Sequence, residues 1–216
     1  MRPVIAGLYA LTPDLLDTDE LIARVRAAIA GGATAIQYRN KIASPPLQRA
    51  QALALRDLCA EPRVSFIVND DVRLAYAVDA DGVHLGRDDA PIAGARRRLG
   101  PTAIIGASCY DSLERAAEAV TSGADYVAFG SFFTSPVKPA AVRVEPALLT
   151  AAKARWNNVA VVAIGGITPA KAAALITAGA DALGVITAVF EARDVEAAAR
   201  AFSDAFAAPS LAAPRI

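Results

Sequence analysis

The stretch VAVVAIGG at residues 159–166 is an unbroken apolar run that ends in two glycines, and YVAFGSFF at residues 126–133 has the same character. A strand that is buried on both faces of a parallel sheet has a continuous apolar sequence of this kind. Similar runs recur along the chain, each followed by an amphipathic stretch of about ten to fifteen residues. The pattern predicts eight βα units, with strands at residues 5–10, 35–39, 64–69, 82–85, 104–108, 126–130, 160–164 and 182–186.

The stretches between these runs carry Ala and Leu at helical spacing, as in DELIARVRAAIAGG, PLQRAQALALRDLCAEP, DVRLAYAVDA, SLERAAEAVTSG, PAKAAALITAG and DVEAAARAFSDAFAA. Four of the junctions that lead into a strand look alike, namely AGGATAIQY, VDADGVHL, TSGADYVAF and TAGADALGV. A glycine at the end of a helix explains much of this likeness, because the residue there often takes a positive φ. The likeness is also compatible with internal repetition.

Eight βα units in about 200 residues favour one closed (β/α)8 barrel, an α/β fold of the TIM-barrel type. A doubly wound open sheet is the structural alternative. We expect the barrel to span residues 1–208. Residues 209–216 hold two prolines and lack periodicity, so they are expected to form a loose C-terminal tail.

The charge balance and cysteine content narrow the class of protein. The 22 basic and 22 acidic side chains of the 216 residues cancel, which gives no sign of a nucleic-acid or membrane-surface partner. Cys59 and Cys109 are too few for a disulfide framework and lack metal-ligand spacing, which is typical of a reducing compartment. Neither a signal peptide nor an apolar run of about 18 residues is found. We therefore expect a cytoplasmic protein that acts on small molecules, and the sequence leaves a homo-oligomer open.

Two cations and an amide stand at the end of the second predicted strand. Strand alternation over residues 37–41 sends Gln37, Arg39 and Lys41 to one side. The active site of a (β/α)8 barrel lies at the carboxyl ends of its strands. Because such a triplet is costly to desolvate unpaired, a phosphate or diphosphate is a natural partner. A solvated strand end paired with acidic neighbours is the alternative.

Carboxylates follow the next two predicted strands, at residues 68–71 and 86–89. Carboxylates from adjacent strand ends can share Mg2+, which usually takes one or two of them together with water and phosphate oxygens. The alternative is that Asp70 or Asp71 only caps the helix that begins near Val72. The two roles are compatible if Asp71 is the cap and Asp70 the ligand. One of the two acidic residues before Pro91 could instead be only a helix-start residue.

His84 is the only histidine, and its position in a strand favours a packed structural residue over a catalytic base. Ser108 closes the fifth predicted strand, where its hydroxyl could hold a ligand. Cys109 is more typical of a buried, small apolar side chain. With no other histidine to serve as a base, the sequence gives no sign of a serine or cysteine nucleophile.

Two loops on the other side of the predicted barrel have phosphate-binding features. Residues 130–139 follow the sixth strand and bring hydroxyls, prolines and one cation, although a surface turn has a similar composition. Gly165 and Gly166 follow the seventh strand, just before a helix, and would offer backbone N–H groups at its positive end. Ile186 and Thr187 end the eighth strand and complete this cup.

These segments together resemble the thiamine-phosphate synthase family, also called thiamine-phosphate pyrophosphorylase, over nearly the whole chain. The family pattern Q-x-R-x-K is matched at residues 37–41, N-D at 69–70, D-G-V-H-x-G-x-x-D at 81–89 and A-I-G-G-I at 163–167, and Ser108, Gly130 and Lys138 also match. The resemblance implies a transferase of thiamine biosynthesis that joins a hydroxymethylpyrimidine diphosphate to a thiazole phosphate. In this family diphosphate leaves first, and the thiazole nitrogen captures the resulting carbocation.

The resemblance also assigns roles to individual residues. It implies that Asp70 and Asp89 hold Mg2+ as the cofactor, and that Gly166, Ile186, Thr187 and Ser135 bind the thiazole phosphate. The pyrimidine diphosphate would be contacted by Gln37, Arg39, Lys41, Asn69, Ser108 and Lys138, of which Arg39, Lys41, Ser108 and Lys138 would be catalytic. Because a dissociative reaction needs little acid–base machinery, a single histidine is compatible with it.

Three positions depart from the family pattern. Val137 stands where Thr is usual, and the lost hydrogen bond would cost on the order of 1 to 2 kcal/mol, which lowers activity without abolishing it. Asn40 replaces a common Glu but points away from the triplet. Thr187 stands where Ser is common and keeps the hydroxyl.

Other functions are compatible with parts of the pattern. A related thiazole tautomerase uses a His after strand five, near the place of Tyr110, whereas Asp70 and Asp89 favour the synthase. A barrel that binds thiamine precursors without turnover is supported only by Val137. A sugar-phosphate epimerase or an indole-forming lyase would also have a phosphate cup, but would place acid–base groups at other strand ends.

Overall fold

A computed structural model of the protein describes residues 5–62, 64–134 and 143–207. Eight parallel strands close into a barrel in chain order, and β8 pairs with β1. The predicted closed (β/α)8 barrel is therefore confirmed, and the open sheet is excluded. The strands are β1 (Gly7–Leu11), β2 (Ala33–Tyr38), β3 (Ser65–Asn69), β4 (Gly82–Leu85), β5 (Ile104–Tyr110), β6 (Tyr126–Phe129), β7 (Ala160–Ile164) and β8 (Ala182–Val185).

All eight predicted strands are present, and their bounds shift by at most two residues. β2 begins earlier than predicted because Ala33 already pairs with Leu8 of β1. β5 extends to Tyr110, which takes a φ of 56° beyond an irregularity in the pairing with β6. The described residues form nine helices, α1 (Thr18–Ala30), α2 (Pro45–Ala60), α3 (Val72–Ala77), α4 (Ile92–Leu99), α5 (Leu113–Thr121), α6 (Ala147–Arg155), α7 (Pro169–Thr177), α8 (Thr187–Phe190) and α9 (Val195–Ala207).

Strand alternation separates the core into two layers. Outward side chains such as Leu8, Ile36 and Phe66 pack under the helices in a large apolar cluster. Inward side chains such as Tyr9 form a smaller cluster that fills the barrel, together with Ile5, Leu11, Ala35, Ile67, Ile104, Tyr126, Ala128, Ala160, Val162 and Ala182. The Tyr126 ring needs the space left at Gly106, where a Cβ would come within 1.9 Å of the ring. The Tyr126 side chain, which ends in a hydroxyl group, therefore crosses the barrel interior beneath the strand ends.

The four similar junctions share a contact that joins each even-numbered strand to the strand before it. In the junctions before β4, β6 and β8 an Asp carboxylate accepts a backbone N–H near the start of the preceding strand, and before β2 a Thr hydroxyl donates to carbonyl groups of the β1 segment. The pairs are Asp81–Phe66 at 2.8 Å, Asp125–Ile105 at 2.8 Å, Asp181–Val161 at 2.7 Å, and Thr34 with Ala6 and Leu8. The predicted positive φ is also present, at Gly32, Gly123 and Gly179, with Asp79 in the corresponding place of the second junction. The sequence likeness is therefore a structural repeat.

Helix α9, the last helix of the described chain, packs on β1 and joins α7 to α1. Ser203 donates to the Gly31 carbonyl at 3.0 Å, and Arg200 donates to the Ala30 carbonyl at 2.8 Å. A Cβ at Gly31 would come within 2.4 Å of the Glu196 carbonyl oxygen, so the glycine allows the two helices to approach closely. Within the described residues, no helix is both long and apolar enough to cross a membrane.

Candidate active site

The predicted site residues that the structure describes gather at one end of the barrel, at the carboxyl ends of the strands. This is the end where (β/α)8 enzymes carry their active sites. Ser135 and Lys138 lie outside the described residues, as does Val137.

Asp14, in the loop after β1, joins the two cations of the β2 triplet. Both of its carboxylate oxygens accept from one guanidinium nitrogen of Arg39, at 3.0 and 3.1 Å, and one of them accepts the backbone N–H of Lys41 at 2.7 Å. Thr12 holds the same segment, because its hydroxyl donates to the Arg39 carbonyl at 2.9 Å and accepts the Arg39 N–H at 2.8 Å. The cations are thus positioned before any ligand binds.

Both cations have acidic partners in the free protein, as the alternative expected. Arg39 is paired with Asp14, and Lys41 Nζ lies 3.2 Å from Asp70. The strand end is only partly solvated. Arg39 has only 18% of its side chain exposed, whereas Lys41 has 57% and can turn toward a ligand. Pairing in the free protein is compatible with anion binding, since both carboxylates leave donor groups of the cations available.

Asn40 points away from the triplet, as predicted. Its side-chain amide donates to the Leu15 carbonyl at 2.7 Å and to Gln51 Oε1 at 3.0 Å. Gln51 is fully buried and also accepts from Tyr38 Oη at 2.9 Å. This network on the outer side of β2 fixes the loop that carries Lys41. The neutral amide of Asn40 makes its hydrogen bonds, so no charged side chain is needed at residue 40.

Of the two neighbouring aspartates, Asp71 is the helix cap, and the ligand role of Asp70 stays a prediction. Asp71 caps α3 and accepts from the N–H groups of Arg73 and Leu74 at 2.8 and 2.9 Å. Asp70 has a φ of 63°, an uncommon conformation that Asp and Asn tolerate better than most residues. Its N–H donates to the His84 carbonyl at 2.8 Å, which ties the ends of β3 and β4 together.

Asp89 lies next to Asp70. One of its oxygens accepts the Gly86 N–H at 2.6 Å, and neither Asp88 nor Asp89 caps α4, which begins after Pro91 without a side-chain cap. Burial raises the pKa of the Asp89 carboxyl, and the adjacent Asp70 carboxylate raises it further, against the opposing effects of the Gly86 N–H and Lys41. Two neighbouring carboxylates that repel each other are a suitable pair of ligands for a divalent cation.

A chain of polar side chains runs through the barrel interior to Ser108. Gln37 Nε2 donates to Tyr9 Oη at 2.7 Å, and Tyr9 Oη lies 2.8 Å from Tyr126 Oη. Tyr126 Oη lies 2.9 Å from His84 Nδ1, and His84 Nε2 lies 2.8 Å from Ser108 Oγ. The predicted structural role of His84 thus includes contact with a predicted site residue. Gln37 itself is buried below the mouth, and its Oε1 has no hydrogen-bond partner among the described residues.

Cys109 lies outside this interior chain. It is buried in the outer core cluster, where desolvation raises the pKa of its thiol to about 12. A thiol in this state is a poor nucleophile at neutral pH, since the thiolate is the reactive form. The expectation of a buried apolar cysteine is therefore supported.

The glycine pair after β7 supports the start of the loop after β6. A Cβ at Gly165 would lie 2.0 Å from Ser131 Oγ, and a Cβ at Gly166 would lie 2.3 Å from the Thr134 carbonyl oxygen. The Phe133 N–H donates to the Gly165 carbonyl at 3.0 Å. Both positions thus require glycine so that the loop can pack closely. The sequence analysis explained the two glycines only by exposed backbone N–H groups.

Ile186 and Thr187 lie beside this glycine pair, at the end of β8. Ile186 packs against the interior cluster and precedes the first turn of α8. The Thr187 hydroxyl is buried and has no hydrogen-bond partner among the described residues. A buried hydroxyl without a partner is costly in a free protein, which marks it as a candidate ligand contact.

Sequence reasoning missed several residues of this site. Asp14 was visible only as an acidic residue after the first strand, a position equivalent to the ones that singled out Asp70 and Asp89. Tyr9 and Tyr126 look like ordinary strand aromatics, and only the folded barrel brings their hydroxyls together. Lys171, in the first turn of α7, lies 4.1 Å from the centre of the Phe133 ring and adds a cation beside the glycine pair.

The site and the fold agree with what comparison with known proteins finds. A family model described as thiamine monophosphate synthase matches residues 8–189. Thiamine-phosphate synthase of Thiobacillus denitrificans is 55% identical over 208 residues, which cover 96% of this chain and 98% of the relative. That of Methylobacillus flagellatus is also 55% identical, over 204 residues that cover 94% and 97%.

A solved structure gives the same result. The thiamine phosphate pyrophosphorylase from Pyrococcus furiosus superposes with a TM-score of 0.83 at 39% identity, covering 93% of this chain and 95% of that one. The transferase of thiamine biosynthesis expected from the motifs is confirmed by these relatives, and the chain belongs to the thiamine-phosphate synthase family.

Proposed function

We propose that the mouth of the barrel divides its two substrates between two sides. The β2–β5 side, with Lys41 between Arg39 and the Asp70–Asp89 pair, takes the hydroxymethylpyrimidine diphosphate. The β6–β8 side, with Gly166 and Thr187, takes the thiazole phosphate. The observation that carries the proposal is the contact of Lys41 with Asp70 beside Asp89, since it gathers a mobile cation and two carboxylates at one side of the mouth.

The diphosphate side acts on the leaving group. Arg39 is held by Asp14 and Lys41 is half-exposed, so both can donate charge-assisted hydrogen bonds to diphosphate oxygens. As the bond between the pyrimidine methylene carbon and the diphosphate oxygen breaks, the bonding electrons go to the diphosphate. Fixed cations stabilise this developing negative charge more than they stabilise the ground state. Asn69 and Ser108 add neutral polar groups on the same side, and Lys138 is proposed to add a third cation.

The residues at the mouth suit Mg2+. Mg2+ usually takes one or two protein carboxylates and fills its other positions with water and substrate phosphate oxygens. Asp70 and Asp89 supply that number of carboxylates, and among the described residues no cluster of three or more acidic, His or Cys side chains offers a competing site. When bound there, Mg2+ would neutralise charge on the departing diphosphate. Burial first, and the adjacent Asp70 carboxylate second, raise the pKa of Asp89, so a cation bound between the two would favour their charged forms.

The thiazole side holds the second substrate close to the reacting carbon. Loss of diphosphate leaves a carbocation that the pyrimidine ring stabilises, and the lone pair of the thiazole nitrogen forms the new carbon–nitrogen bond. No acid or base is required for this capture, so proximity is the main contribution of the protein. Gly166 and Thr187 are proposed to bind the phosphate end, with Ser135 contributing from the loop and Ile186 supplying an apolar contact. We further propose that the reaction takes place in the cytoplasm; a homo-oligomer stays a prediction.

The direct test is diphosphate release from hydroxymethylpyrimidine diphosphate, measured with and without thiazole phosphate and Mg2+, and with mass detection of thiamine phosphate. We expect thiamine phosphate only when all three components are present. Binding of either precursor without product would instead favour a binding protein that lacks turnover. Absence of binding would overturn the proposal.

Two variants test the division of the site. Lys41→Ala is expected to raise the KM for the pyrimidine diphosphate about tenfold and to leave the KM for thiazole phosphate nearly unchanged, because one charged contact to the first substrate is lost. Thr187→Val, which keeps the shape of the side chain, is expected to do the reverse. It should also not destabilise the free protein, since it removes a buried hydroxyl that has no partner in the described part of the chain. Equal effects of each variant on both KM values would contradict the division.

A further inference from the structure

The orientation of the Gln37 amide, whose nitrogen faces Tyr9, gives the interior chain of polar side chains one hydrogen-bond direction. Tyr9 Oη has two partners among the described residues, Gln37 Nε2 and Tyr126 Oη. An amide nitrogen can only donate, so Gln37 occupies a lone pair of Tyr9. The proton of Tyr9 is then available only for Tyr126, because a buried hydroxyl proton without an acceptor is costly.

The same reasoning continues to the histidine. Tyr126 Oη accepts from Tyr9, so its own proton goes to its other partner, His84 Nδ1, at 2.9 Å. Burial raises the pKa of both phenols far above neutral, so each keeps its one proton. His84 Nδ1 is therefore an acceptor, and the imidazole proton lies on Nε2, which donates to Ser108 Oγ at 2.8 Å.

The packing of the chain makes this direction rigid. Gln37, Tyr9 and Tyr126 are at most 2% exposed, and His84 is 8% exposed. The His84 ring stacks on Tyr126 with an interplanar angle of 23°, and Tyr9 meets Tyr126 edge-on at 85°. Gly106 leaves the space that the Tyr126 ring fills. Rotation of one member thus requires movement of its neighbours on other strands.

Ser108 is the end of the chain and is half-buried at the mouth. With its oxygen accepting from His84, its hydroxyl proton is free to donate outward. If the hydrogen bonds ran in the opposite direction, the Ser108 hydroxyl would donate its proton to His84. Ser108 would then present only oxygen lone pairs to an anion.

We propose that Tyr126 is a positioning residue that holds the imidazole of His84 as the Nε2–H tautomer, and that His84 in this tautomer makes Ser108 a hydrogen-bond donor to the diphosphate substrate. The direction of the chain follows from the distances between its members, the orientation of the Gln37 amide and the neutral state of the two phenols. The effect on catalysis rests on the proposed assignment of Ser108 to the diphosphate.

The tautomer is measurable without any activity, because His84 is the only histidine of the chain. Isotope-labelled histidine in the full-length, ligand-free protein gives two ring-nitrogen NMR signals that need no further assignment to a residue, provided that no histidine tag is present. We expect a protonated Nε2 and an unprotonated Nδ1 at neutral pH. A protonated Nδ1, either as the other tautomer or as the imidazolium, would overturn the proposal.

Phenylalanine variants test whether the tyrosines set the tautomer. Tyr126→Phe removes the donor to Nδ1 and is expected to give a mixture of tautomers, whereas Tyr9→Phe leaves that donor in place and should retain the Nε2–H form. Tyr38→Phe is the matched control, since it removes a buried phenol hydroxyl from the outer face of β2 and should also retain this form. An unchanged tautomer in Tyr126→Phe would contradict the proposal.

Kinetics then show whether the tautomer acts through Ser108. His84→Leu is expected to lower kcat about tenfold, and His84→Gln to recover part of the loss because its amide can donate at the same place. In a Ser108→Ala background, His84→Leu should have no further effect on kcat. Additive losses would mean that His84 does not act through Ser108, whereas a correct tautomer with no effect of Ser108→Ala would reject the diphosphate contact alone.

Discussion

Asp14 is the residue on which the cationic part of the site depends. It holds the Arg39 guanidinium and the Lys41 backbone at once, from a different strand end. A variant without the Asp14 carboxylate keeps both cationic side chains but no longer holds them in a fixed position. Positioning of this kind contributes to kcat and KM together, because misplaced groups stabilise neither the bound substrate nor the transition state well.

We predict that Asp14→Ala lowers kcat/KM for the pyrimidine diphosphate about tenfold, which corresponds to about 1.4 kcal/mol. The measurement is steady-state kinetics at saturating thiazole phosphate. Asp17→Ala is a control of the same charge change in the same loop, where the carboxylate only caps α1. Equal losses of kcat/KM in the two variants would show that Asp14 has no special part in the site.

Asp70→Asn is predicted to abolish the dependence of turnover on Mg2+ and to lower turnover by at least about a hundredfold. The neutral amide does not replace a carboxylate ligand, and Asp89 alone does not hold the cation. Asn is preferred to Ala here because it tolerates the φ of 63° at this position. The readout is a Mg2+ titration of turnover together with the thermal unfolding midpoint.

Asp88→Asn is the matched control for the metal position. Asp88 is exposed and adjacent to Asp89, so the variant removes the same charge near the same place. It should retain the Mg2+ response. A normal Mg2+ response in Asp70→Asn would reject the metal assignment.

At this scale the sequence predicts the polar residues that directly end a strand, since their position alone brings them to the mouth. Asp70, Asp89 and Lys41 were found in this way. The pairing partners were not, because Asp14 reaches the triplet through a loop and Tyr126 reaches His84 across the barrel. Contacts of that kind depend on loop conformation and strand register, which are not local properties of the sequence.

Among the elements, the turn after β7 has two structural roles. It ends a strand at the mouth, and it provides the surface on which the start of the loop after β6 lies. Gly166 has a φ of 62° and no room for a Cβ because of the Thr134 carbonyl. A side chain there would displace the loop that leads to Ser135 and Lys138.

Gly166→Ala is accordingly predicted to lose most turnover, through displacement of the loop. Gly123→Ala is the control, since Gly123 also has a positive φ, of 98°, but nothing lies within 4 Å of the Cβ position. Both variants are expected to lose about 1 to 2 kcal/mol of stability from backbone strain, and only the first should lose activity. Urea unfolding and the synthase assay separate the two effects; full activity in Gly166→Ala would refute the packing argument.

The elements themselves were predictable because each follows from local patterns. β4 and β7 begin and end where the apolar runs predicted them. The bulge that extends β5 to Tyr110 was not predictable, because it arises from pairing with β6. The similar junctions were visible as sequence, but their shared carboxylate contact, as in Asp125 to Ile105, appears only when neighbouring strands are side by side.

For the whole molecule, barrel closure depends on α9. This helix packs against β1, α1 and α7, and its Phe202 is fully buried. The closing contacts from Arg200 and Ser203 all lie before Ala207, where α9 ends. The proposed tail at residues 209–216 lies outside the described residues, and the boundary at residue 208 stays a prediction.

Truncation tests that boundary. A protein that ends at Ala208 is expected to keep its thermal unfolding midpoint within about 1 °C and to retain full turnover, because it keeps α9 with the contacts of Arg200 and Ser203. A protein that ends before Val195 loses α9 and should not fold to a closed barrel. A lower midpoint after the shorter truncation would move the domain boundary toward the C-terminus.

The whole fold was predictable from the number of units, because eight buried strands with helices between them have few alternatives to closure. What the count of units does not predict is the content of the barrel. The interior of this barrel is apolar at its lower level and polar just below the mouth, where Gln37, Tyr9, Tyr126 and His84 meet.

That polar level limits how the protein can change over evolutionary time. Its members come from β1, β2, β4, β5 and β6, and each satisfies a neighbour that lies far away in the chain. A substitution at one of them leaves a buried polar atom without a partner on another strand. Lineages should therefore keep these residues as a set or exchange several of them together, while the outer apolar layer beneath the helices drifts one residue at a time.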